Sequence, residues 1–134
     1  MKLIRNMVIL VSILAPPLAL GEEETAVPGN DTVYVELKPS FVTNYQARRM
    51  GYLKADVTLQ VKGEQTAEAV SRHRQSIRHQ LVMLFSRQQQ DSLNTLEGKQ
   101  MLKEAALTEV VQALEVEGEP AQVEDILFTS FIVD

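Results

Sequence analysis

His73 and His79 are the only two imidazoles in the chain, and they sit within its most basic stretch. On a helix, a spacing of six residues sets the two rings about 120° apart, so they cannot share a metal ion from adjacent turns. His73 is expected to be a satisfied residue at the edge of an apolar face and His79 to be solvated. Cysteine is absent, which removes thiolate nucleophiles, thiolate metal sites and disulfides. The sequence has neither a Gly-rich phosphate loop nor a Gly-x-Ser-x-Gly elbow. Carboxylates are plentiful, but they crowd the C-terminal end at the spacing of a wet surface, and no general acid/base pair stands out. The expectation is a protein with no catalytic residues, no cofactor and no metal.

The remaining chemistry is that of opposed charge. Residues 38–103 carry 11 basic and 5 acidic side chains, whereas 104–134 carry 8 acidic and none that is basic. A positive middle of about +6 thus precedes a tail of −8. Arg72, Arg74 and Arg78 on one side, and Glu115, Glu117 and Glu119 on the other, are the candidate interface residues. The two sets could pair within one subunit. They could instead meet head to tail between subunits, a contact between unlike surfaces that closes into a ring when the rotation permits. Surface ion pairs are individually weak and are screened over about 8 Å at physiological salt, so charge would set register more than affinity. Nucleic acid is not an expected partner, since the arginine-rich helix reads as a solvated face of an acidic chain.

These residues depend on two helical patterns and the punctuation between them. Val70, Ile77, Leu81, Leu84 and Phe85 form one stripe of a helix expected from Thr66 to about Gln89, with Arg74 in line with the stripe and its stem covering apolar surface. Asp91-Ser-Leu-Asn-Thr-Leu-Glu-Gly98 then marks a junction. Asn94 or Thr95 can cap a second helix, Glu97 suits the positive end of its dipole, and Gly98 completes the junction. The second helix has Leu102, Ala106, Leu107, Val110, Ala113 and Leu114 on one broad face and stops before Gly118 and Pro120.

Strands supply the rest. Val33, Val35 and Leu37 alternate with Tyr34, Glu36 and Lys38 until Pro39 stops the ladder, and Phe41–Asn44 continues after the break. Leu53, Ala55, Val57, Leu59 and Val61 alternate strictly with polar residues, as in an antiparallel strand with one wet face. Ile126–Val133 is apolar on both faces and is expected inside the sheet. The fold class is therefore α+β in the order β-β-α-α-β, an antiparallel-rich sheet covered on one face by a helix pair.

The N-terminus reads as an export signal over residues 1–21: basic Lys2 and Arg5, an apolar run, and small Ala19 and Gly21. The run from Met7 to Leu20 would span about 21 Å as a helix, short of a hydrocarbon core of about 30 Å, and it contains Pro16 and Pro17. A short uncleaved anchor is the competing reading. Residues 22–32 form an acidic, loop-like leader that is expected to be flexible, and 33–134 are then a single domain.

Three blocks together resemble the FliL family of flagellar basal-body-associated proteins. They are Tyr34-Val-Glu-Leu-Lys-Pro-Ser-Phe-Val-Thr-Asn44 with Tyr52-Leu-Lys-Ala-Asp-Val-Thr-Leu59; Leu93-Asn-Thr-Leu-Glu-Gly98 with Leu102; and Phe128-Thr-Ser-Phe-Ile-Val133. The resemblance covers roughly residues 33–133. It implies a stomatin-like periplasmic domain that forms homo-oligomeric rings around stator units, contacts stator or basal-body proteins and supports motility or swarming. It implies no catalytic residues. FliL proteins usually carry a full transmembrane helix, whereas this chain has a short signal-like segment, so inner-membrane association is open. The alternative is a soluble periplasmic binding or adaptor module without a flagellar role.

Overall fold

A computed structural model describes residues 31–134; the signal segment and all but the last two residues of the leader lie outside the described residues. The elements run β1 (Thr32–Glu36), β2 (Phe41–Tyr45), β3 (Gly51–Lys62), α1 (Glu64–Arg72), α2 (Arg74–Ser86), α3 (Gln90–Leu93), α4 (Leu96–Val116) and β4 (Val123–Val133). The class is α+β with an open, all-antiparallel sheet. Among the described residues, no helix is long and apolar enough to cross a membrane.

β3 is the spine of the sheet. β1 pairs with its second half (Val33 opposite Val61) and β2 with its first (Phe41 opposite Ala55), so the two short strands lie end to end along one side. β4 runs along the other side with register shifts beside Val57 and Val61. This corrects two expectations. The first two apolar stretches are separate strands, and among the described residues β4 is an edge strand with β3 as its sole neighbour rather than an interior one. The apolar run in β4 has a different cause. Phe128, Phe131 and Val133 pack against the helix layer, while Leu127 and Ile132 fall on the uncovered face.

The strict alternation of β3 sends Leu53, Ala55, Val57, Leu59 and Val61 into the core, where all five are buried. Ile77, Leu81, Leu84 and Phe85 of α2 meet them together with Leu102, Ala106, Val110 and Leu114 of α4. Phe85 sits between the layers, edge-on to Phe41 at 5.6 Å and to Phe128 at 5.9 Å, and Phe128 in turn stacks on Phe131. Edge-to-face pairs of this kind add about 0.5–1.5 kcal/mol beyond the area they bury.

The expected long first helix is two helices. His73, with φ −108° and ψ 24°, separates α1, which packs on β1 and β3, from α2, which packs on β2 and α4. One straight rod could not follow a twisted sheet from one edge partner to the other, and the break lets the axis turn. α3 is a short turn of helix that sequence periodicity does not reveal.

Candidate functional site

Turn chemistry builds the first charged cluster. α4 ends at Val116, and Gly118 adopts φ 70°, the left-handed conformation that glycine enters without a Cβ penalty. The Gly118 amide donates to Glu115 O at 3.0 Å and the Glu119 amide to Leu114 O at 3.0 Å, the paired bonds of a Schellman cap. The chain reverses there and delivers Glu119 to the α1–α2 break. Arg72 donates to both carboxylate oxygens of Glu119 at 3.0 Å each, and His73 Nε2 lies 2.6 Å from Glu119 Oε2. The hydrogen bonds from Arg72 and His73 hold the Glu119 carboxyl below its ordinary range, and Glu119 in turn raises Arg72.

Arg72 and Glu119, two of the six candidate interface residues, are thus joined within one chain. Arg78 is also engaged internally. Its Nη1 donates to Leu37 O at 3.0 Å and Pro39 O at 2.7 Å, and its guanidinium lies 4.0 Å from the centre of the Phe41 ring. Burial, and then the neighbouring charge of Arg74, push Arg78 below the usual guanidinium value. Arg78 therefore clamps the β1–β2 connection onto α2. Arg74 differs, because its Nε is buried and has no hydrogen-bond partner among the described residues. Glu115, in the last turn of α4, and Glu117, its C-cap, are exposed and make no ion pair among the described residues. The structure brings the basic and acidic sets together only at Arg72–Glu119.

At the helix junction, Thr95 is the cap of α4, its hydroxyl accepting from the Gly98 amide at 2.9 Å. Asn94 instead closes α3, and Glu97 lies in the first turn of α4. Gly98 has a steric role. A Cβ there would collide with the Ser92 carbonyl, lying 2.7 Å from its carbon.

Two surface features were not apparent from the sequence. An open groove of about 580 Å³ runs between β1 and α1, lined by Val33, Tyr34, Val35, Ala67, Ser71 and Arg74 among others. A second cleft, of about 390 Å³, lies under the Lys38–Ser40 segment, where Ser40 donates to Asp56. Strand pairing alone could have suggested the first, since it needs β1 to be an edge, but sequence periodicity does not count neighbours. Among the described residues, no three His, Cys, Asp or Glu side chains converge as a metal site would require.

The comparisons with known proteins agree with one another. Residues 34–133 match the family described as "Flagellar basal body-associated protein FliL". The proteins named "Flagellar protein FliL" from Escherichia coli strain K12 and from Shigella flexneri are each 40% identical over 78 residues, covering 58% of this chain and 50% of the relative. The chain spans about half the length of the curated relatives it matches. With the family matched from the first strand to the last, this chain belongs to the FliL family of flagellar basal body-associated proteins.

Proposed function

We propose that the chain is a non-enzymatic accessory of the bacterial flagellar motor, acting through protein contacts with stator or basal-body components in the periplasm. The observation that carries this reading is the family match across residues 34–133, which runs from within β1 to the end of β4 and takes in every helix among the described residues. The condition of the polar groups supports a contact role. Arg72, His73, Glu119 and Arg78 are tied to one another or to backbone carbonyls, an arrangement that fixes the shape of the surfaces they border. The basic Lys2/Arg5 start with its short apolar run supports export, with inner-membrane association if the segment is retained. Assembly into a ring belongs to the same proposal, with apolar contact supplying affinity.

Deleting the gene tests the proposal. Swimming and swarming spread should fall and be restored by the gene in trans, and a fluorescent fusion should form foci at flagellar bases. Unchanged spread in both assays, with a diffuse fusion signal, would remove the flagellar role.

A further inference from the structure

β1 borders β3 on one side and offers its other side to the groove with α1. The direction of its backbone groups follows from two bonds. The Gly63 amide donates to Asp31 O at 2.7 Å and the Leu37 amide to Val57 O at 2.9 Å, both in the register that sets Val33 opposite Val61. In an antiparallel ladder, residues that bond one neighbour alternate with residues that face away. Odd-numbered residues of β1 therefore bond β3, and Thr32, Tyr34 and Glu36 turn their N–H and C=O groups to the open edge.

The side chains beside this edge form a short floor. Val33 and Val35 point to the helix layer and are only partly buried, and Ala67 and Ser71 of α1 face the same groove. At its far end the buried Nε of Arg74 lacks a hydrogen-bond partner among the described residues, and burial first, then the Arg74 charge, lowers the Arg78 guanidinium nearby. The acids lining the groove are mostly occupied. Glu36 lies 3.2 Å from Lys38 and Glu68 3.9 Å from Arg72, while Glu64 stands in the first turn of α1 at the opposite end from Arg74.

A strand edge unpaired among the described residues, an apolar floor and a guanidinium whose buried Nε has no hydrogen-bond partner together describe a strand-addition site with a place for a carboxylate. We propose that this groove binds an extended acidic segment of a partner protein, which adds a strand to β1 and sets a carboxylate against Arg74. This names the chemistry of the partner within the contact role proposed above. Because it is read by peptide binding rather than by motility, it can fail while the flagellar role stands.

The test is selection of a displayed random decapeptide library on the purified full chain, followed by affinity measurement of the enriched peptides. Two variants separate the components. Arg74→Gln removes the charge, and Tyr34→Pro removes an outward amide without touching a bond to β3. Circular dichroism verifies the fold of each. Enriched peptides should carry Asp or Glu among β-branched residues and lose at least tenfold in affinity for both variants. Failure to enrich acidic peptides, or equal affinity for wild type and Arg74→Gln, overturns the proposal. Loss with Arg74→Gln but not with a folded Tyr34→Pro overturns strand addition. If Tyr34→Pro does not fold, backbone N-methylation of the peptide replaces it, and undiminished binding of the methylated peptide is the refuting result. A third variant, with Glu22, Glu23 and Glu24 all changed to Gln, tests the chain's own acidic stretch as occupant. A tenfold gain in peptide affinity there would overturn the partner in favour of that segment.

Discussion

Replacing Gly98 with alanine should destabilise a helix that alanine ordinarily favours. At an unobstructed helical position Gly→Ala stabilises by about 1 kcal/mol, because glycine loses the most backbone freedom on folding. Gly98 is obstructed, since a Cβ would meet the Ser92 carbonyl with 2.7 Å to its carbon and 2.8 Å to the Ser92 Cα. Those atoms are backbone and cannot rotate aside as a side chain would. Overpacking costs about 1–3 kcal/mol, and a rigid neighbour puts this case at the upper end, so the propensity gain leaves a net loss of about 2 kcal/mol. For a domain of this size the melting temperature should fall by roughly 8–16 °C. Denaturant midpoints of wild type, Gly98→Ala and Gln100→Ala measure it, the last being exposed on the same helix and expected to change stability by less than about 0.5 kcal/mol. A Gly98→Ala protein as stable as wild type would refute the close approach of α4 to Ser92.

Removing the Thr95 hydroxyl as Thr95→Ala should cost about 0.5–2 kcal/mol, whereas Asn94→Ala should cost clearly less; chemical denaturation of the pair decides whether Thr95 is the cap. Arg78→Met keeps an apolar stem but orphans the Leu37 and Pro39 carbonyls, and a loss of about 1.5–3 kcal/mol is expected from the same measurement. Glu119 sets a pH dependence. Its folded pKa lies below the unfolded one, so its contribution is fully present above the unfolded value of about 4.3 and is lost as pH falls through the folded value. Wild type should therefore lose more stability than Glu119→Gln when titrated from pH 6 into that acid range, and parallel curves would argue against the Arg72–Glu119–His73 cluster.

Legibility in the sequence followed the locality of the cause. β3 could be read because one buried face against one wet face leaves a period of two, and α4 because Thr95 and Gly118 mark its ends by short-range hydrogen bonds. The status of β4 was hidden, since Phe128 and Phe131 are apolar for the sake of Phe85 in another layer, and an apolar run does not say how many strands flank it. The break at His73 was hidden for a similar reason, because its neighbours keep a helical period across it while the sheet beneath turns. For the charged residues, the sequence located the Arg and Glu sets but not their engagements. Arg72 finds Glu119 only after the turn at Gly118, and Arg78 reaches carbonyls 39 and 41 positions away. The open β1 edge became visible only once the pairing of β1 and β2 along a single side of β3 was known.

The path of the chain through β3 also fixes how the domain would bear tension. Thr32 lies opposite Lys62, at one end of the spine, whereas the Asp134 amide bonds Tyr52 O at the other, so the chain enters and leaves this domain about 35 Å apart along the strand axis. A pull between those two points runs parallel to the strands. The β1–β3 and β3–β4 ladders are then loaded in shear, where many hydrogen bonds must fail together, and not peeled open one at a time. A protein held at its N-terminal end and gripped beside Gly51 would behave as a stiff strut, passing force straight down its longest strand.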